Sequence, residues 1–334
     1  MASDLAIYLT HFVKVKKFFT YSQLNRRIKQ FSDQGSDGSS KPAEVSEKGV
    51  KLGGQATENW SLLRLLPIII ITDTEDPVWQ LTVQLKELVE LICAPTISVP
   101  QVALLSVLIG DYLEGRKEFF PSQKLKPKHH YLTHYPALIL KFGPLIRLWT
   151  MRFESKHSYF KRCVRRTQNF KNVCHTLAKN HQLLQAYLHS GSFFAPSLMV
   201  KNSTPFHAEL YSEAVRSAVG ETLVKEPNVE SATEVQWKGS QYKKGLFLCL
   251  NQGEALEFGQ IELMLVTQDQ HVYFIVTPHD VSYMPAFALY EVKQARQSMK
   301  CWKPERKLDY YPLPVYKLCG TRVISLKHSI VDSE

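Results

Sequence analysis

The sequence predicts an α+β fold, with a mainly helical N-terminal two-thirds and a small C-terminal β barrel. Three observations predict it. Apolar residues recur at helical spacing through residues 59–120. After Val235 that pattern gives way to short runs of β-formers separated by turn residues. The 334 residues are 44% hydrophobic, enough to bury the cores of two domains at roughly 100–200 residues each.

Residues 1–31 read as two short helices, punctuated at Phe19-Thr20. Thr20 with Gln23 fits a capping box, in which each side chain satisfies an orphan backbone donor. Residues 32–58 are rich in Ser, Gly, Lys and Glu and predict a mobile loop. A helical domain then spans residues 59–190. Its most apolar run, residues 60–71, contains Arg64 and Pro67 and reads as a buried helix. A bilayer span needs about 20 apolar residues, so no membrane anchor is visible. Asp76-Pro77 is an N-cap followed by proline at the first helical position, where the missing N–H costs nothing. Val78, Leu81, Leu85, Leu88, Leu91 and Ile92 follow at helical spacing. A second helix over residues 100–119 carries Val102, Leu105, Leu108 and Tyr112 on one stripe. Both stripes read as core. Gly143-Pro144 is a turn signal, and residues 151–166 and 170–189 read as two further helices. Residues 191–232 read as a linker with a short helix near residues 209–219. Residues 233–334 form the β domain, with about five strands and a turn at residues 309–314.

The formal net charge of +10 favours acidic partners such as nucleic acid or an anionic surface, and also fits a merely soluble basic protein. Cys93, Cys163, Cys174, Cys249, Cys301 and Cys319 form no C-x-x-C pair, which points to a reducing compartment. Asp4 precedes the first basic residues, the wrong order for a secretory signal.

The informative segment is the helix from Met151. Phe153, His157, Phe160 and Val164 share one face, which reads as core. The other side carries Glu154, Ser158, Lys161, Arg162 and Arg165. Between Arg152 and Lys171 there are seven Lys or Arg residues and one acid, Glu154. The stripe reads either as a solvated face with weak ion pairs, or as a phosphate-binding surface with one carboxylate at its end. His130 and His134 stand four apart, so one helical face presents both imidazoles. They are an ordinary exposed pair or half of a zinc site, which needs four ligands.

The stretch KLKPKHHYLTHYPALILKFGPLIRLWTMRFESKHSYFKRCVRRTQNFKNVCHTLAKNHQL resembles the C-terminal region of transposase-like proteins from animal DNA transposons. It is distantly similar to the CACTA (EnSpm) transposase tail, with the same order of histidine, Gly-Pro-Leu, Trp, Phe-Glu and Lys-Arg. NWSLLRLLPIIII, DPVWQLTVQLKELVELICAP and YYPLPVYKL extend the likeness over most of the chain. The resemblance implies an RNase H-like fold with two aspartates and a glutamate, the glutamate lying on a helix after an all-helical insertion domain. Glu154 matches that third acid, and His130 with His134 match a histidine pair that completes a zinc site begun by an upstream C-x-x-C.

Three carboxylates hold two Mg²⁺ ions about 4 Å apart in such chemistry. Asp73, Asp76 and Asp111 sit at helix caps or on a helix, so the aspartates and C-x-x-C are expected from an upstream segment and catalysis in isolation is not expected. The resemblance implies DNA as partner, nuclear residence (otherwise cytoplasmic) and phosphate contacts by Lys156, Lys161, Arg162, Arg165, Arg166 and Lys171. The alternative is a non-catalytic protein- or chromatin-interaction module. FGQIELMLV and HVYFIV loosely resemble an SH3-like or BAH-like barrel, in which Trp237, Tyr242, Phe247, Phe258, Tyr273 and Phe274 read mostly as core.

Overall fold

The computed structural model describes residues 1–32, 35–47, 52–70, 72–168, 170–191, 197–223, 228–237, 239–251, 256–304 and 311–330. Helices fill the N-terminal part and antiparallel sheets the C-terminal part, so the fold is α+β. Helix α1 (Ala2–Thr10) runs into a π turn over His11–Val15, and α2 (Tyr21–Gln30) follows. The capping box forms as predicted: Gln23 N–H donates to Thr20 Oγ1 at 3.1 Å, and Thr20 N–H to Gln23 Oε1 at 2.8 Å. Helices α3 (Ala56–Ile69), α4 (Pro77–Ile92) and α5 (Val99–Phe119) complete the helical core. Asp76 opens α4 by accepting from Val78 and Trp79 N–H. The predicted stripes are buried at Leu81, Leu85, Leu88 and Leu91 of α4, and at Val102, Leu105 and Tyr112 of α5. No helix among the described residues is long and apolar enough to cross a membrane.

Where it is described, the segment 32–58, expected as a mobile loop, packs on the helical core. A 3-10 turn over Gly35–Ser40 buries Asp37, whose carboxylate lies 2.6 Å from Arg64 Nη2. Val45 and Leu52 are buried in the helical core. The Asn25 side chain clamps the Val45 backbone, accepting from its N–H at 2.8 Å and donating to its C=O at 3.0 Å. A polar composition signals solvent exposure only when nothing buried needs it. Arg64 does, because an arginine inside an apolar helix must be paired.

Short helices α6 (Pro127–Leu132) and α7 (Tyr135–Phe142) lead to α8 (Met151–Thr167) and α9 (Val173–His189). Then come β1 (Leu198–Lys201), β2 (Thr204–Pro205), α10 (Glu213–Leu223), β3 (Glu230–Ala232), β4 (Glu234–Trp237) and β5 (Ser240–Lys243). They are followed by β6 (Phe247–Asn251), β7 (Glu257–Val266), β8 (Val272–Met284), β9 (Leu289–Ala295), β10 (Lys300–Trp302), β11 (Val315–Leu318) and β12 (Thr321–Ile324). Strands β1, β4 and β5 make one antiparallel sheet. The second runs β11-β12-β9-β8-β7-β3-β2, with β6 beside β7 and β10 beside β8.

Two expectations change here. The segment 191–232 is not a plain linker, because β1, β2 and β3 within it pair into both sheets. The described strands also exceed the expected five. Those missed are mostly two to four residues long, too brief for alternation to register. Strand β8 runs past Pro278, where a proline argues for a strand end; Pro278 stands opposite Gly259 of β7, and its carbonyl accepts from Arg296 N–H at 2.8 Å.

The two parts share a core. Ala288, Leu289, Tyr316, Leu318 and Val323 belong to the same apolar cluster as α1 to α5. Trp79 Nε1–H donates to the Ala286 carbonyl at 2.8 Å, and Lys86 Nζ to that of Ala288. Arg64 donates to the Ser325 carbonyl at 3.2 Å, and Ser325 Oγ–H to that of Arg64 at 2.9 Å. A separate core between the sheets joins Val235 and Tyr242 to Leu248, Ile261, Met264, Phe274 and Val276. Tyr242, Phe247, Phe258, Tyr273 and Phe274 are buried and Trp237 is half-buried, as the sequence predicts for core aromatics.

Candidate nucleic-acid interface

A buried anchor positions the histidines. His129 in α6 accepts from Lys126 N–H through Nδ1 at 2.9 Å. Its Nε2 lies 3.1 and 2.9 Å from the two Asp4 oxygens, and Arg116 Nε reaches Asp4 at 3.0 Å. All three side chains are buried. Burial works to raise the Asp4 carboxyl, but His129, the N-terminal ammonium and Arg116 together outweigh it and hold the group well below the usual carboxylate range. Sequence reasoning missed this cluster, because Asp4 lies more than 100 residues from both of its partners with no local pattern linking them.

With His129 turned inward, His130 and His134 face out. Their Nε2 atoms are 3.1 Å apart. Two nitrogens bound tetrahedrally to zinc at about 2.1 Å would lie roughly 3.4 Å apart. The sequence-predicted pair is therefore brought together as an exposed, hydrogen-bonded pair, a few tenths of an ångström inside that spacing. Among the described residues, no third His, Cys, Asp or Glu joins them.

Helices α8 and α9 pack on each other. Tyr159 and Phe160 rings lie 6.3 and 5.8 Å from His181, and Tyr159 O–H donates to the Asn180 carbonyl at 3.5 Å. The face expected to be core is only half-covered: Phe160 and Val164 are partly exposed and His157 is exposed. No described side chain of either helix enters an apolar cluster. An amphipathic stripe says that a face is covered, not by how much. Here one partner helix covers it, and the core does not.

Lys161, Arg162, Arg165, Arg166 and Lys171 are all exposed. Lys156 is half-buried, with Nζ 5.0 Å from the Tyr159 ring centroid. Among the described residues Lys161, Arg162, Arg165 and Arg166 have no ion-pair partner. Glu154 lies in the first turn of α8, and the side chains of residues 151–155 fall outside the described residues. Asp73 and Asp111 are exposed, whereas Asp76 is engaged by Lys16 at 2.9 Å.

The charge separation extends further than the α8 stripe. Residues 119–208 contain 14 Lys or Arg and one acid, Glu154, a net +13. The whole chain carries +10, so the remainder is net −3. A running charge count would have found this signal. Exposed guanidinium and ammonium groups with no acidic neighbour are suited to phosphate oxygens, arginine by its planar fork and lysine as a point charge.

On the opposite half of the fold, an open cleft of about 690 Å³ is lined by Asp280, Glu291, Lys293 and Arg322 from β8, β9 and β12. The chain matches no protein-family model, no curated protein and no solved structure.

Proposed function

We propose that this chain is a transposase-derived, DNA-associated protein whose α8–α9 hairpin contacts phosphates. The observation that carries the reading is an acid-poor, cationic pair of helices that stands off the apolar core. Lys161, Arg162, Arg165 and Arg166 supply the main contacts, with Lys156 and Lys171 beside them. In this reading Glu154 is the vestige of a third catalytic acid. One carboxylate cannot hold two magnesium ions, so the chain by itself does not cut DNA. His130 and His134 are a zinc half-site awaiting ligands from another segment. The helical part corresponds to the insertion domain and last helices of an RNase H-like transposase, the sheets to an SH3-like or BAH-like barrel, and the site of action to the nucleus.

Counterion release makes such binding steeply salt-dependent, with log K falling by about 0.9 per phosphate contact for each decade of salt. Anisotropy titrations of duplex DNA should show measurable binding at low salt. Replacing Lys161, Arg162, Arg165 and Arg166 by Ala should reduce the slope by about 3–4. Undetectable binding at low salt, or an unaltered slope in the variant, sinks the reading.

A second reading, a protein- or chromatin-interaction module, is favoured by the mixed-charge cleft over β8, β9 and β12. Loss of a captured partner on Arg322→Glu, with DNA affinity unchanged, would support it.

A further inference from the structure

We infer that Phe170, at the apex of the α8–α9 hairpin, stacks on unpaired bases of single-stranded DNA while the flanking cations hold the phosphates. The inference deepens the DNA-association reading and rests on it.

Helix α8 ends at Thr167, where Gln168 takes a left-handed conformation (φ 47°) and donates its N–H to the Val164 carbonyl at 3.0 Å. Asn172, also left-handed at φ 54°, opens α9. Between these reversals Phe170 is 74% exposed, the most exposed aromatic side chain among the described residues. It joins no apolar cluster and has no ring partner among the described residues, unlike Tyr159 and Phe160 inside the hairpin. A phenylalanine placed this way contributes little to the fold.

Its neighbours give it a use. Arg165 and Arg166 occupy the last turn of α8, and Lys171 follows directly in sequence. At 1.5 Å rise per residue, both arginines lie within about 3 Å of the end of α8 along its axis. The nearest acid in sequence is Glu154, at the far end of α8. An aromatic face among cations is how proteins hold single strands, since every base has a π-face and every nucleotide a phosphate. Paired bases hide their faces, so a duplex offers the ring little. The hairpin therefore fits strands with splayed or unpaired bases.

The test compares oligothymidylate with duplex DNA, using the full chain and its Phe170→Ala and Phe170→Trp variants. Phe170→Ala should weaken single-strand binding roughly ten- to a hundredfold. It should leave the salt slope and duplex affinity within about twofold, and Phe170→Trp should restore binding. A fluorescent purine analogue in the strand should be quenched by the wild type and Phe170→Trp, and not by Phe170→Ala. The exposed position leaves the circular dichroism spectrum unchanged. If Phe170→Ala binds and quenches like the wild type, while the fourfold α8 charge variant does not bind, the stacking role is overturned and DNA association stands. If the wild type binds neither strand form at low salt, both fall.

Discussion

Arg64 sits within an apolar helix and is 3% exposed, which is tolerable only because its charge is fully met. Asp37 lies 2.6 Å from its guanidinium, accepts from Tyr316 O–H at 2.6 Å, and has Lys327 Nζ at 3.6 Å. Burial pushes the Asp37 carboxyl up; Arg64, Tyr316 and Lys327 more than reverse this and leave it below its ordinary value. A carboxyl lowered on folding stabilises the protein above its unfolded value of about 3.9, and that contribution is lost as pH falls through the folded value. Thermal unfolding should therefore show a fall in Tm on acidification below about pH 4, and Asp37→Asn should flatten that dependence. At neutral pH Asp37→Ala strands a buried guanidinium and should cost about 3–5 kcal/mol, read from urea denaturation. An unshifted urea midpoint would show that the pair is not buried in solution. The sequence marks Arg64 as the odd charge in an apolar run. Its partner was illegible, because Asp37 lies in a Ser- and Gly-rich stretch whose composition reads as solvent-exposed.

At the scale of elements, local chemistry was the legible part. The capping box at Thr20, the proline-led start of α4 and the stripes of α4 and α5 follow from periodicity and cap geometry alone. Very short strands carry no such signature, so their pairing had to be seen. The same limit applies to α8: its stripe predicts a covered face, but only tertiary structure tells a core from a single partner helix. That difference has a measurable consequence. Few buried contacts hold α8 and α9, so they should open with less free energy than α4 and α5. Backbone amides of residues 157–188 should exchange with solvent orders of magnitude faster than those of residues 80–91. Addition of DNA should slow them. Equal protection in both pairs would show that another surface covers the hairpin. For the candidate site, residue identities and the His130–His134 juxtaposition were legible, whereas the Asp4–Arg116–His129 anchor that turns His130 outward was not.

The whole molecule is organised around contacts between its sequence-distant parts. Trp79 to Ala286, Arg64 to Ser325 and Tyr316 to Asp37 all join the N-terminal half to the late strands and the turns beside them. A fragment of residues 1–190 should therefore lack cooperative unfolding by circular dichroism, having lost the apolar cover from Leu289, Leu318 and Val323. A sharp transition in that fragment matching the full chain would show that the helices need no strands.

The Arg64–Ser325 bond spans 261 positions. A ribosome adding roughly 5–20 residues per second needs on the order of 10–50 s between the two codons. Throughout that interval the nascent helical layer presents greasy surface and a half-solvated guanidinium to solvent. Newly made copies are thus natural clients for chaperones, and a premature stop within the last strands would send the polypeptide to degradation although every helix had already been translated.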